Sequence, residues 1–506
     1  MPPPRDECAR HAWLASWEKL VNGMIGPILL FRGIVTNRCH LVALLVTAEG
    51  EVPPSLIVDD GGCWQPETLC HRAGKTLWRY AFSIPCTAPK RDVSYRIGSQ
   101  HGSVITPARH QPLRIAFTSC NGSENEKPPL GDPSRHALWR QIAKVHAQSP
   151  FHLLLQGGDQ VYADLVWKEV EQLAAWKRQP RRERLRASLT PEAIDAVETF
   201  YFERYCRIWS QPDLAPILAS IPSLMMWDDH DIFDGWGSWP QAIQACPVYQ
   251  SVWSIAREHF VLFQQGARPD DLPRGVGNPD GSHFGWAFQF GTIGIIAPDL
   301  RSTRTRQRIM DEVSWRWMET ALANLADCRH VFVVSTVPVA NIDLSWLERI
   351  LFRLPREMYF QDDLRDQWQS YAHRGEWRRL LQLLFDFSEE HQVQFSILSG
   401  EIHLAALGHL QRGDLCIHQF TSSGIAHPPP PAFVAWLYDR YGRRPKQVTQ
   451  TVQMRMCPLP GLGRRYLAAR NWLSIQCDSS DVLEVKWHAE GLPEPLAMYV
   501  APQMKR

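Results

Sequence analysis

No stretch of this 506-residue chain is apolar for long enough to cross a bilayer. Its strongest apolar run, Leu41 to Val46, has only the length of a strand. The opening residues Met1 to Cys8 mix acidic and basic side chains and lack the apolar core of a signal peptide. Together these absences predict a soluble, cytoplasmic protein with no membrane partner. The 12 cysteines include no Cys-x-x-Cys pair. Neither a zinc ribbon nor a dense disulfide framework is therefore expected, and most of the cysteines should be buried thiols. A net charge of +1 gives no long-range attraction for nucleic acid or an anionic surface, so any affinity for phosphate must be local.

What the chain does have is material for a large core. Apolar residues make up 44% of it and tryptophans number 21, a globular profile. At this length, one large domain with one or two smaller additions is expected. Residues 1–24 carry Trp13, Leu14, Trp17 and Leu20 at helical spacing, which predicts a helical extension. Residues 25–110 carry short β-rich runs, Ile28 to Val35, Leu41 to Val46, Leu77 to Ile84 and Val93 to Ile97, and read as a small antiparallel β-sandwich domain.

From about residue 111 to 430 strands alternate with helices, the pattern of a layered α/β domain, with a helical insertion over 165–218. That insertion carries Lys177, Arg178, Arg181, Arg182, Arg184 and Arg186. Interspersed acids and the lack of an aromatic ladder mark this run as a solvated helix face. Residues 431–506 end in a hairpin-like pair, Trp472 to Cys477 and Val482 to Trp487, expected to pack back onto the sheet.

Polar clusters follow four of the predicted strands, and open α/β sheets place their ligands at the carboxyl ends of strands. They are Phe117 to Asn121, Leu155 to Asp164, Met226 to Asp231 and Leu398 to His403. In the third, Asp228, Asp229, Asp231 and Asp234 fall within seven residues of one another. Carboxylates so crowded repel unless a cation or a proton intervenes, and a metal centre would supply that charge. Oxygen and nitrogen donors suit iron, manganese, zinc, magnesium or calcium, and a cysteine thiolate tilts one site toward iron or zinc.

Gly158-Asp-Gln-Val-Tyr162-Ala-Asp, Trp227-Asp-Asp-His230-Asp and Ser399-Gly-Glu-Ile-His403 resemble the metal-binding blocks of the alkaline phosphatase D (PhoD-like) branch of the calcineurin-like metallophosphoesterases. The Gly-Asp-x-x-Tyr motif is shared with the purple acid phosphatases, and the resemblance spans about residues 113–427. It implies a four-layer sandwich, two central sheets flanked by helices, with two metal ions at the strand ends: iron plus calcium, manganese or zinc. By the family pattern Asp159 bridges the ions, and Cys120 and Tyr162 bind the iron-like one. Asp229 serves the second ion and His403 completes the shell. Glu401 stands where the branch usually has Asp, so this ligand reaches one methylene further. His230 matches the histidine that protonates the leaving group, and Arg301, in Asp299-Leu-Arg301, matches a phosphate clamp.

The function so implied is hydrolysis of phosphate monoesters or diesters by a metal-activated hydroxide, on a small phosphate-ester substrate. Two other readings stand beside it: a phosphodiesterase or nuclease on the same centre, with nucleic acid only as substrate, and a non-catalytic, metal-stabilised interaction module.

Overall fold

Short apolar runs buried on both faces mark central parallel strands, and the chain uses three of them side by side. In a computed structural model, which describes residues 24–86, 92–106, 113–127, 132–272, 275–277, 281–342 and 366–503, the strands Arg114–Thr118, Leu153–Gly157 and Ser223–Met226 are parallel neighbours. They form the middle of a 10-stranded sheet. On one side Asn471–Cys477, Leu483–Ala489 and Leu496–Val500 add antiparallel strands, so the C-terminal hairpin does return to the sheet. On the other side Ile25–Val35 pairs in parallel with Ser223–Met226 and is followed outward by Arg38–Ala48, Lys75–Pro85 and Glu67–Arg72.

That last pairing changes the expected separate sandwich over 25–110. Its strands exist, but the longest of them extend the central sheet. Only Cys63–Trp64, Leu56–Val58, Asp92–Ile97 and Gln100–Ile105 form a sheet of their own. The cause is visible in Ile28 to Phe31, four successive buried residues. A strand with one wet face would alternate, whereas this one must be covered on both faces. The helix expected over residues 1–24 lies outside the described residues, save for Met24.

A second, 9-stranded sheet has Ile293–Ala297, His330–Ser335, Gln394–Ser399 and Leu415–Thr421 as parallel neighbours. One apolar cluster joins the two sheets, with Phe117, Leu155 and Met226 from the first meeting Phe332, Val334 and Leu398 from the second. On the outer face of the first sheet Ala116, Leu154 and Met225 pack with Trp139, Phe202 and Tyr205 of the helices Ala137–Gln148 and Pro191–Trp209. On the outer face of the second, Val331, Val333 and Phe395 pack with Trp315 and Leu380 of the helices Glu312–Ala323 and Arg374–His391. Each fully buried large apolar side chain contributes roughly 1.5–3 kcal/mol.

Local signals set these helices. Thr190 caps Pro191–Trp209 by accepting from the Ala193 amide at 3.3 Å, with proline in the first turn where its missing N–H costs nothing. The helix Pro247–His259 runs into a π-helical turn, Phe260–Gln264, whose wider winding carries Gln264 inward. Lys177, Arg178, Arg181, Arg182 and Arg186 of the insertion are exposed, as expected of a solvated face. No helix among the described residues is long and apolar enough to cross a membrane.

Candidate metal centre

Register brings the strand ends together. In the first sheet Gln156 lies opposite Thr118 and Gly157 opposite Met226. In the second, Ser399 lies opposite both Ser335 and Thr421. The segments that follow meet across the two sheets: the Ser119 hydroxyl donates to the Ser422 carbonyl at 2.8 Å, and the Thr336 hydroxyl donates to Asp228 Oδ1 at 2.9 Å. Gly158 makes this close approach possible. It has φ +104°, and a Cβ there would stand 2.8 Å from that of Asp228.

Four of the six expected ligands sit in left-handed backbone, with φ of 55° at Cys120, 57° at Asp159, 68° at Glu401 and 53° at His403. Such conformations cost of order 1–3 kcal/mol each away from glycine, and they persist where the surrounding structure holds a functional site in place. At Asp159 the hold is explicit. Asp231 accepts hydrogen bonds from the amides of Asp159 and Asp228, both at 2.9 Å, and of Val161 at 3.0 Å. Gln264, delivered by the π-helical turn, donates to the same carboxyl at 2.9 Å.

The acidic cluster is therefore divided in its work. Asp231 ties backbone together, Asp228 ion-pairs with Arg301, and Asp229 faces the centre. Repulsion among all four carboxylates is not what the fold leaves to be relieved.

Asp159 is common to two sets of donors. Its Oδ2 lies 3.5 Å from both Cys120 Sγ and the Tyr162 hydroxyl, and that hydroxyl lies 3.4 Å from His403 Nε2. An oxygen from each of Asp159 and Asp229 and a ring nitrogen of His230 also lie within 4.8 Å of one another. The Asp159 Oδ1 atom is buried without a hydrogen-bond partner. A carboxylate oxygen so placed costs free energy unless a cation meets it. Thiol, phenol, imidazole and carboxylate in one buried pocket are a donor set that fits a borderline or hard cation. Burial, and then the charge of neighbouring His427 and His230, holds His403 well below the usual histidine range, so its ring is neutral as a ligand must be.

Glu401 is the member that stands apart. It does not enter the Asp159, Asp229 and His230 group. Its carboxyl accepts from Gln367 Nε2 at 3.2 and 3.3 Å, and burial followed by repulsion from Asp366 and Asp228 raises it well above the usual carboxylate range.

His230 follows Asp229 in the short helix Asp229–Ile232 and stacks on Tyr162 with ring centroids 4.3 Å apart. Its Nδ1 lies 2.8 Å from Asp164 Oδ2, and its Nε2 lies 3.9 Å from Glu124 Oε1. Burial opposes charge on this ring, yet Asp164, Asp229 and Asp159 outweigh it and raise its pKa well above the ordinary value. Cations bound among the same carboxylates would offset part of that rise.

Arg301 differs from the expected phosphate clamp. It is fully buried, and its donors are engaged by protein. Nε meets Asp228 Oδ1, Nη1 meets the Trp236 carbonyl at 3.1 Å and Asp366 Oδ1 at 3.0 Å, and Nη2 meets Asp366 Oδ2 at 2.6 Å and Asp229 Oδ1 at 3.4 Å. An arginine with no N–H left for a substrate holds carboxylates in place instead.

Sequence reasoning gave no role to Asp164, Glu124, His427 or Asp366. Asp164 closes a motif already visible, Gly158 to Asp164, and His427 lies six residues after Thr421 at the end of a strand. His427 stacks on His403 with centroids 3.4 Å apart and reaches Glu124 Oε1 at 3.4 Å. Glu124 and Asp366 belong to none of the motifs singled out in the sequence, and nothing in their spacing flags them.

With this geometry in hand, the comparisons with known proteins are consistent. The sequence model of the family described as PhoD related phosphatase matches residues 113–355. A curated relative, "Uncharacterized protein YGR266W" of Saccharomyces cerevisiae, is 25% identical over 396 residues, which is 66% of this chain and 56% of that protein. The chain thus spans little more than half the length of that relative. Among solved structures, one titled "Structure of PhoD" aligns with a TM-score of 0.57 at 13% identity, covering 94% of this chain and 88% of the other. A purple acid phosphatase, PPD1 from yellow lupin (Lupinus luteus) seeds, aligns with a TM-score of 0.56 at 10% identity, covering 95% and 74%. At such identities these two likenesses speak for the fold.

Proposed function

From a chain whose residues 113–355 match the PhoD related phosphatases, and whose fold is shared with PhoD and a purple acid phosphatase, we propose a dinuclear metal-dependent phosphoesterase acting on a small phosphate ester. The observation that carries this reading is the buried Asp159 Oδ1 without a hydrogen-bond partner, on a carboxylate that both donor sets share. In it Cys120, Tyr162 and His403 would hold one ion, Asp229 would hold the other, and the Asp159 carboxylate would be shared by them. With the layering read as the four-layer sandwich of the resemblance, this centre would lie beyond the carboxyl ends of the central strands of both sheets. When bound, the ions supply charge neutralisation at the phosphoryl oxygens and an acidified water.

The chain's own residues do the rest. His230 donates a proton from Nε2 to the departing oxygen, with Asp164 on Nδ1 fixing the ring and favouring its charged form. Arg301 and Asp366 fix Asp228 and Asp229, so the metal-facing carboxylate is aimed before substrate arrives. Tyr162 supports His230 by stacking. The exposed basic run at 177–186 has opposite charges within it and no stacking ladder, which favours a small ester over a nucleic-acid strand.

The test is metal analysis of purified protein beside a panel of monoesters and diesters. Two ions per chain, with hydrolysis lost on chelation and restored by metal, are expected. A chain that binds metal fully and hydrolyses neither ester class would be an interaction module instead. If iron is one of the ions, the Tyr162 phenolate should give the protein visible colour. An unchanged spectrum in Tyr162→Phe at full iron content would remove Tyr162 from the ligand set.

A further inference from the structure

A second group of metal-capable side chains lies away from the strand-end centre. His409 on the strand Ala405–Arg412 and His418 on Leu415–Thr421 are direct cross-strand partners, and Cys416 is two residues from His418 on the same face. Cys416 Sγ lies 2.7 Å from His409 Nε2 and 3.4 Å from His418 Nε2, and the three donor atoms fall within 4.8 Å of one another. All three side chains are half-buried, so an ion has a path from solvent. His418 is three strand residues, about 10 Å, from Thr421 at the strand end, and farther from the Asp159 pocket beyond it.

We propose that His409, Cys416 and His418 form a separate, mononuclear zinc site that staples this hairpin. One thiolate and two imidazoles are zinc's own donor chemistry, at about 2.3 Å to sulfur and about 2.0–2.1 Å to nitrogen. A tetrahedral ion would set sulfur and nitrogen roughly 3.5 Å apart by those lengths. The Cys416 and His418 pair already meets that spacing, and the Cys416 and His409 pair opens by less than an ångström of side-chain rotation. Two strands joined by a tight turn at Gly413, with φ +59°, hold the donors in register without the ion.

One neighbour competes with the ion. Arg455 Nη2 lies 3.0 Å from His409 Nδ1, and an arginine only donates, so it favours the tautomer in which Nε2 carries the proton. Metal on Nε2 requires the other tautomer, and Arg455, which is exposed, must swing toward solvent when zinc binds. Cys457 Sγ, 4.0 Å from the same Nδ1, is placed to accept the relocated proton's hydrogen bond.

The experiment uses the full chain with its catalytic metals in place. Wild type should retain one zinc equivalent that Cys416→Ser and His418→Gln both lose, with phosphatase activity unchanged; because activity is followed separately, failure here leaves the reading of the strand-end centre standing. Cobalt loading in a Cys120→Ser background, which removes the other candidate thiolate ligand, should show a thiolate-to-cobalt absorption band that disappears in Cys120→Ser/Cys416→Ser. Arg455→Gln should hold zinc more tightly than wild type. If one variant misfolds, the other still reports the loss. Equal zinc content in wild type and variants, or a cobalt band that survives without Cys416, would overturn the site.

Discussion

The two walls of the strand-end centre are built on opposite terms. On the arginine side, the side chains of Arg301, Asp228 and Asp366 are 0%, 1% and 5% exposed, and every Arg301 donor group is engaged by protein. On the histidine side, His230 and Asp164 are each 11% exposed and Glu124 is 38% exposed, and His230 Nε2 lies 3.9 Å from Glu124 Oε1, beyond hydrogen-bond reach. A wall whose hydrogen bonds all close within the protein can hold geometry but cannot follow a reaction. A wall that leaves one nitrogen uncommitted can. Substitutions on the two sides should fail in different ways.

Asp159 is the carboxylate that both donor sets of the centre share, and its loss should be the most damaging. Asp159→Asn is expected to lose bound metal and activity together, by more than the roughly 10–100-fold typical of a group behind a ligand. Full metal content in the variant would show that Asp159 does not bridge.

On the arginine side, Arg301→Met should act first on stability. Removing it leaves Asp228 buried beside Asp229 without its cation, although Arg304 Nε still meets Asp366 at 2.9 Å. Breaking a buried pair from one end costs roughly 3–5 kcal/mol, which chemical denaturation would read directly. Arg301→Lys should rescue little, since one ammonium cannot serve Asp228, Asp229 and Asp366 in a fixed plane. If instead Arg301→Met were as stable as wild type and only raised KM, the clamp role that its burial argues against would return.

On the histidine side, His230→Ala should keep metal and stability and lose turnover, by roughly 10²–10⁴-fold on an alkyl ester. A nitrophenyl ester, whose leaving group departs without help, should lose far less. Equal losses on the two esters would assign His230 to positioning.

These contrasts also show how far the sequence could be read. The four strand-end clusters were legible because apolar strands followed by Gly-Asp or Asp-Asp-His carry their meaning locally. Direction was not: Asp299-Leu-Arg301 marks a motif, but only the fold shows its guanidinium turned into the protein, toward an Asp366 that nothing nearby announces. The central place of Ile25–Val35 was hidden for a similar reason, because its parallel partner Ser223 lies far along the chain and hairpin signals point to near neighbours. Cys416 fell under the general expectation of buried thiols, since the pairing of His409 with His418 that brings it to two imidazoles has no signature at fixed spacing.

The smallest effect should come from Asp164, one step behind the reacting groups, and it is the sharpest probe of how the open wall works. Asp164 Oδ2 faces His230 Nδ1 at 2.8 Å, and its Oδ1 accepts from the Asp234 amide at 2.8 Å, so the carboxylate is anchored to backbone as well as to the ring. Asp164→Asn keeps size and one acceptor but removes the charge that does most to raise the His230 pKa against burial. If His230 works as a proton donor, turnover falls as pH rises through its pKa. Lowering that pKa should therefore move the basic limb of the kcat profile to lower pH, with a loss of about 10-fold or less below the limb, where the ring is protonated in both proteins. Metal content and thermal stability should stay close to wild type. A basic limb that stays in place while activity drops uniformly would mean that Asp164 only orients the ring, and that the titrating group lies elsewhere in the centre.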